Sequence, residues 1–369
     1  AGPFKPEQSF PEAKDLPNYK DITARVGAAY DIFGNGKTAI KGGFGKYLAG
    51  LGGGEAKSLS PSNVTVQSAP RLWIDFNGNG TFEFADDIRL AAATGSGNLF
   101  LDFDNDGKLD VFIANGDLHY MVGWESLLLA NRGGGTFADA AEKGGSFFRT
   151  KLRGRGSAVA DFDNDGWPDI YVTNDTTANF LFMNQQRFRF QESAFRLGAA
   201  FDALGAAHAS MGVTSGDYDH DGFIDLYITG FSGEYNTLYR NRGQHGFQDI
   251  TAITGAVEKT RPKLGWGVTM TDFNQDGHPE IITANGHIGR DVADGEGFEM
   301  SAQLLSFDGT KWLDFTPFAG PYFERKLLGR GLATADYDDD GDLDVAIVNQ
   351  NSNVALLRNE SKRGNWLKL

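Results

Sequence analysis

Asp102-Phe-Asp104-Asn-Asp106-Gly107-Lys108-Leu-Asp110 runs straight into the apolar segment Val111-Phe-Ile-Ala114. The same design returns as Asp161-Phe-Asp163-Asn-Asp165-Gly166-Trp167-Pro-Asp169 and Asp217-Tyr-Asp219-His-Asp221-Gly222-Phe223-Ile-Asp225. It returns again as Asp272-Phe-Asn274-Gln-Asp276-Gly277-His278-Pro-Glu280 and Asp336-Tyr-Asp338-Asp-Asp340-Gly341-Asp342-Leu-Asp344. Oxygen-bearing side chains occupy positions 1, 3, 5 and 9, and glycine occupies position 6. A short loop wraps a hard cation in this way, with alternate side chains turned inward and glycine permitting the sharp turn. The residues at position 7, Lys108, Trp167, Phe223, His278 and Asp342, complete each predicted ligand set. The loops start 59, 56, 55 and 64 residues apart, a period that points to a repeat array or a propeller.

An EF-hand loop places a bidentate Glu at position 12 between two helices. Here position 12 is Ile113, Val172, Ile228, Thr283 and Ile347, inside β-branched apolar runs that read as strands. A single Asp-rich turn of this kind reads equally as a solvated Asx-turn. Five copies in register read as metal sites, with about five calcium ions as the expected cofactor.

Around each loop a longer unit recurs. A Gly-containing strand precedes it, for example Gly154-Arg-Gly156 or Gly265-Trp-Gly267. A third strand ending in Asn follows in most copies, at Asn131, Asn184, Asn241 and Asn359. A fourth strand comes after a Gly-rich or polar hairpin. Four short strands per repeat describe one antiparallel propeller blade. The expected fold is an all-β calcium-binding propeller of at least five four-stranded blades, near 96–141, 155–194, 211–252, 266–317 and 330–369. Glycine on the innermost strands suits a crowded axis. Trp124, Trp167, Trp266 and Trp312 are expected in the core or between blades.

The 369 residues are 40% hydrophobic and carry a net charge of −15. Nineteen of the 49 acidic residues are loop ligands, leaving 30 against 34 basic residues. The acidity therefore belongs to the loops, and its sign argues against a nucleic-acid partner. There is no cysteine, which removes disulfide, thiol and thiolate-metal chemistry. No run of 18 apolar residues exists to form a membrane-spanning helix. The chain opens at Ala1 with no Met or signal peptide, as a processed, trimmed or partial chain does.

These blades resemble FG-GAP (VCBS) repeats, and more closely the bacterial UnbV-type family related to cartilage acidic protein. The resemblance rests on Met211-Gly212-Val-Thr-Ser-Gly-Asp217-Tyr-Asp219, Gly265-Trp-Gly267-Val-Thr-Met-Thr-Asp272 and Ala284-Asn285-Gly286-His287. It also rests on Leu356-Leu-Arg358-Asn359 followed by Asn365-Trp366-Leu-Lys-Leu369. It covers about residues 95–369 and implies a calcium-dependent propeller used for recognition, with Asn274 and Glu280 as departures in the fourth loop. In that family the closing stretch opens a small C-terminal domain, which the resemblance leads us to expect is missing here.

Residues 1–94 are expected to form a separate segment. Strand 24–32 should meet strand 38–47 across Gly34-Asn35-Gly36, a hairpin turn signal. This segment, over about residues 1–85, resembles barrel strands of a TonB-dependent outer-membrane receptor. Two or three strands cannot close a barrel, and an open edge cannot sit in lipid. Asp75-Phe-Asn77-Gly-Asn79-Gly80-Thr-Phe-Glu83 repeats the 1, 3, 5, 9 spacing with two charges, and reads as a weak sixth site or a plain hairpin turn.

Catalytic signals are thin. His220 and His278 occupy loop positions expected to face solvent, which leaves His208 and His287 as the histidines of interest. Arg290, Asp291, Glu296 and Glu299 lie in a long insertion read as a solvated loop. The expected function is a non-catalytic calcium-stabilised recognition or adhesion module, secreted or at a bacterial cell envelope, with a protein or glycan ligand. The alternatives are a propeller enzyme acting on polysaccharide, marked by a converging carboxylate pair outside the loops, and a receptor fragment.

Overall fold

The computed structural model describes residues 25–31, 39–45, 98–114, 124–134, 136–290, 297–338, 340–350 and 352–361. The chain divides into two compact units, Ala1–Pro70 and Arg71–Leu369. In the first, β1 (Arg25–Asp31) pairs antiparallel with β2 (Ala39–Gly45), Arg25 facing Gly45 and Asp31 facing Ala39. This is the pairing expected across Gly34-Asn35-Gly36. The turn itself and the Asp75–Glu83 loop lie outside the described residues.

Among its described residues the second unit contains five antiparallel blade sheets, each following chain order, and one further two-stranded sheet. The first sheet is β3 (Asn98–Leu101), β4 (Asp110–Ile113), β6 (Leu127–Gly133) and β7 (Thr136–Asp139); the short β5 (Trp124–Glu125) pairs instead with β8 (Lys151–Leu152). The second is β9 (Gly154–Ala160), β10 (Asp169–Asn174), β11 (Phe180–Asn184) and β12 (Phe190–Glu192). The third is β13 (Val213–Gly216), β14 (Asp225–Ile228), β15 (Thr237–Asn241) and β16 (Phe247–Asp249). The fourth is β17 (Gly265–Thr271), β18 (Glu280–Asn285), β19 (Gln303–Phe307) and β20 (Trp312–Asp314). The fifth is β21 (Gly329–Ala335), β22 (Asp344–Asn349) and β23 (Ala355–Leu357). The fold is a five-blade β-propeller. The fifth blade shows three strands among the described residues where four were expected.

Packing explains the unbroken apolar runs after each loop. The second strand of a blade is covered on both faces, so it needs apolar residues at successive positions rather than alternate ones. Phe112 and Leu128 of blade 1 pack with Ile170, Val172 and Phe182 of blade 2. Tyr171 and Leu181 then pack with Leu226, Ile228 and Tyr239. Tyr227 and Leu238 meet Ile281, Leu305 and Trp312, and Ile282 and Ala284 meet Val345 and Ile347. Odd and even residues of one strand thus serve two different interfaces.

The first strands adjoin at the centre. A Cβ on Gly212 would lie 1.9 Å from the Trp266 carbonyl oxygen, so only glycine fits. Buried threonines rivet this contact. Thr173 Oγ1 accepts from Gly156 N at 2.8 Å and donates to Met211 O of the next blade at 2.5 Å. Thr229 repeats the arrangement between Gly212 N and Trp266 O.

Of the tryptophans, Trp312 and Trp266 are buried as expected. Trp167 is not a core residue: it lies half-buried at the end of its loop, because position 7 is followed by Pro168 and the loop rim rather than by sheet. The Trp124 side chain is outside the described residues.

Candidate metal centres

All five acidic loops join the first strand of a blade to its second, so they lie at the same end of the sheets. Each is shaped by its own side chains. The position-1 Asp accepts the main-chain N–H groups of positions 5 and 6; for Asp161 these are Asp165 N at 3.0 Å and Gly166 N at 2.7 Å. The same pair of bonds occurs at Asp102, Asp217, Asp272 and Asp336. The position-5 Asp accepts the N–H of position 7 in every loop. Position 6 is left-handed, from φ 83° at Gly107 to 95° at Gly341, and a Cβ at Gly107 would meet nothing within 4 Å. Glycine is required there by conformation, not by space.

Position 9 anchors the loop to the sheet. Asp169 is 1% exposed; its Oδ2 accepts from Phe162 N at 2.9 Å and its Oδ1 from Asn184 N at 2.7 Å. Asp110, Asp225 and Asp344 make the equivalent bonds. Glu280 accepts from Phe273 N and from Ser306 Oγ. The recurrent Asn at the end of the third strand is explained by its side chain: Asn184 Nδ2 donates to Pro168 O of its own loop and to Phe103 O of the preceding one, while its Oδ1 accepts from Gln186 N, and Asn241 repeats the set.

Four loops bring the carboxylates of positions 1, 3 and 9 together, with one oxygen from each lying within 4.8 Å of the others. The clusters are Asp102, Asp104 and Asp110; Asp161, Asp163 and Asp169; Asp217, Asp219 and Asp225; and Asp336, Asp338 and Asp344. The position-5 acids Asp106, Asp165, Asp221 and Asp340 stand outside these groups. So do the position-7 side chains: Lys108 Nζ pairs with Asp106, and the His278 ring meets Phe307. In the fourth loop the Asn274 amide donates to Asp276 Oδ2 at 3.1 Å and to Glu280 Oε1 at 3.3 Å, so an N–H group stands where the other loops hold a carboxylate.

The electrostatics favour a cation. Burial pushes the Asp169 and Asp225 carboxyls up to about 7, against the pull of their main-chain donors. Glu280 is likewise pushed up to about 7, chiefly by burial. Burial, then the neighbouring charges of Asp106 and Asp102, raises Asp104. Asp104 Oδ1 and Asp219 Oδ1 are buried without a hydrogen-bond partner. A buried carboxylate oxygen without a donor is costly; a divalent ion held by an all-oxygen set would supply what is missing.

Three features escaped the sequence reading. His220, exposed as expected, also bonds the next loop: its Nε2 meets Gly277 O. Asn164 donates to Gly222 O, and Gln275 to Gly341 O, in the same way. Position 4 therefore links successive loops in blades 2 to 5. Second, Arg240 and Arg358 reach into loops 3 and 5; the shared Leu-x-Arg-Asn ending of their strands was the available signal. Third, Tyr235 OH lies 3.2 Å from both Asp202 Oδ2 and Asp249 Oδ2, with His208 Nε2 3.1 Å from Asp202. These carboxylates also accept main-chain N–H groups from Ala203, Leu204, Ala206 and Thr251, which ties them into the fold. Elsewhere, His287 Nδ1 accepts from Gly289 N and Arg290 lies over Phe298; residues 291–296 of that insertion are outside the described residues.

The chain matches the FG-GAP-like repeat family in three overlapping stretches, residues 102–172, 161–228 and 217–283. It is 27% identical over 249 residues to mouse (Mus musculus) cartilage acidic protein 1, covering 63% of this chain and 36% of that protein. It is 29% identical over 168 residues to the human (Homo sapiens) protein, covering 44% and 24%. The chain thus spans about a third or less of the length of these relatives. Among solved structures, an Agrocybe aegerita lectin that recognises non-reducing terminal N-acetylglucosamine superposes with a TM-score of 0.42 at 18% identity, covering 73% of this chain and 65% of the lectin. The family match begins at residue 102, so it lends no support to the receptor-barrel resemblance of residues 1–85. Residues 102–283 thus carry FG-GAP-like repeats within a five-blade β-propeller, and the chain is homologous to cartilage acidic protein 1.

Proposed function

We propose that the propeller is a calcium-stabilised recognition or adhesion module, secreted or held at a cell envelope, that binds a protein or glycan through inter-blade loops and performs no catalysis. The observation that carries this reading is the repeated convergence of positions 1, 3 and 9, with unpartnered buried oxygens at Asp104 and Asp219. In the first loop, Asp102, Asp104, Asp106, Asp110 and the Lys108 carbonyl hold the ion, and the same positions hold one in each other loop. The ion supplies positive charge that fixes the loop rim and, through position 9, the sheet beneath it.

Homology to cartilage acidic protein 1 supports an extracellular setting. The non-catalytic reading is supported by the Asp202–Asp249 pair, whose oxygens are taken up by main-chain donors and Tyr235. The test is an array of glycans and extracellular proteins probed in calcium and in chelator. A ligand retained in calcium and lost in chelator is expected. Binding indifferent to chelation would overturn the calcium dependence, and cleavage of a bound glycan would overturn the non-catalytic assignment.

A further inference from the structure

One sheet position differs between blades in a way that bears on the loops. It is the third-strand residue beside the buried ninth-position acid, one step along from the pairs Val111–Leu129, Ile170–Phe182, Leu226–Tyr239 and Val345–Leu357. That residue is Ala130 in blade 1, Met183 in blade 2, Arg240 in blade 3 and Arg358 in blade 5; in blade 4 it is Ser306, paired with Glu280. The two arginines make the same contacts. Arg240 Nε lies 2.7 Å from Asp219 Oδ2 and its Nη2 donates to Asp221 Oδ2 at 3.0 Å. Arg358 Nε lies 3.1 Å from Asp338 Oδ2 and its Nη2 donates to Asp340 Oδ2 at 3.2 Å. Each guanidinium therefore spans positions 3 and 5 of its own loop. It does so from outside the cluster: Asp219 gives Oδ2 to the arginine and keeps Oδ1 buried and unpartnered.

We propose that Arg240 and Arg358 are internal counter-cations that grade the calcium sites, keeping loops 3 and 5 ordered without an ion and lowering their affinity relative to loop 2. This rests on the calcium reading above. A guanidinium across two carboxylates relieves their mutual repulsion when no ion is present and repels an incoming divalent ion. Both effects favour the ion-free loop over the loaded one, so their signs agree. Held by two contacts, the carboxylates also keep their orientation, as outer-shell partners of metal ligands do. Loop 2 has Met183 in this place. Met183 offers no guanidinium to Asp163 or Asp165, as Arg240 does to Asp219 and Asp221. Loop 2 should therefore bind calcium more tightly and depend on it more for order. Ligand charge count tunes such sites over orders of magnitude, and one added positive charge in partial solvent is expected to weaken binding about ten-fold.

The test is peptide-resolved hydrogen exchange on the whole chain during a calcium titration, following residues 161–172 and 217–228, and 336–347 for the Arg358 variant. In the wild type, 161–172 should gain protection at about ten-fold lower calcium, while in chelator 217–228 should be the better protected. Arg240→Met should close the gap by tightening loop 3, and should raise exchange of 217–228 in chelator. Arg240→Lys keeps the charge but not the double contact, and should fall between the two. Arg358→Met, at the more exposed arginine, repeats the test should Arg240→Met misfold. Equal calcium dependence of the two loops in the wild type, or unchanged affinity in the Met variants, would overturn the proposal. Failure of every loop to respond to calcium would instead overturn the calcium reading itself.

Discussion

His220 Nε2 lies 2.5 Å from the main-chain carbonyl oxygen of Gly277, so the fourth residue of one acidic loop is bonded to the sixth residue of the next. Asn164 and Gln275 make the same link to Gly222 and Gly341. The loops of blades 2 to 5 form a chain along one rim, held by side chains that the ligand pattern leaves free.

Breaking one link should cost stability without emptying a site. His220→Ala is expected to lose about 0.5–1.5 kcal/mol, the usual net worth of such a hydrogen bond. His220→Asn should recover much of it, since Asn164 already spans the equivalent gap at 3.2 Å. Urea unfolding of the calcium-loaded chain measures both, and a fully stable Ala variant would show the link to be dispensable.

Calcium should bind at about five ions per chain, the fourth loop being the first to empty in a chelator titration. Asn274 removes one negative charge and turns an N–H toward Asp276 and Glu280, and fewer charges mean weaker binding. Asn274→Asp should retain its ion to higher chelator concentration. Elemental analysis after dialysis decides the count; fewer than three ions would refute the five-site assignment.

Removal of calcium should lower the melting temperature by tens of degrees or unfold the chain, with recovery on readdition. A site with Kd on the order of 0.1 mM at roughly 2 mM calcium contributes about 1.8 kcal/mol to the folded state. Circular dichroism melts in calcium and in chelator are the measurement. Superimposable melts would reduce the loops to plain structural turns.

Two acids of one loop should behave differently on removal. Asp165→Ala is expected to cost about 2 kcal/mol in calcium, one site's share, and little in chelator. Asp169→Ala strands the N–H groups of Phe162 and Asn184, and each unsatisfied buried donor costs about 1–3 kcal/mol. Its loss should persist in chelator. Denaturant titrations of both variants, with and without calcium, give the comparison.

The pH response should change sign with calcium. Asp169 and Asp225 are raised from 3.8 to about 7, and Glu280 from 4.5 to about 7. Between those limits the folded, ion-free chain holds protons that the unfolded chain does not. Its stability should therefore rise as pH falls through about 7, levelling off as the unfolded carboxyls protonate. With calcium bound, protons compete for the same oxygens and acid should destabilise. Parallel unfolding series from about pH 8 to pH 5 test this; slopes of the same sign would contradict it.

Much of the architecture was legible in the residues. Positions 1, 5, 6 and 7 interact within a few residues of one another, so Asp161, Asp165 and Gly166 shape their loop without help from the rest of the chain. The apolar runs and the glycines marked strands covered on both faces and a crowded axis, and the repeat period marked successive blades. Packing alone decided which side chains meet across them. Asp169 is buried because Asn184, 15 residues away, arrives on a neighbouring strand. His220 reaches Gly277 across 57 residues only because consecutive blades stack with their loops side by side. Arg240 and Met183 occupy matching places, each set by sheet register beside its loop's ninth-position acid; the guanidinium turns to Asp219 and Asp221, whereas the apolar Met183 packs in the core between blades 2 and 3. Local hydrogen bonding sets the shape of each loop and can be read from spacing; strand pairing and blade stacking set which loops and charges touch, and spacing along the chain does not encode that.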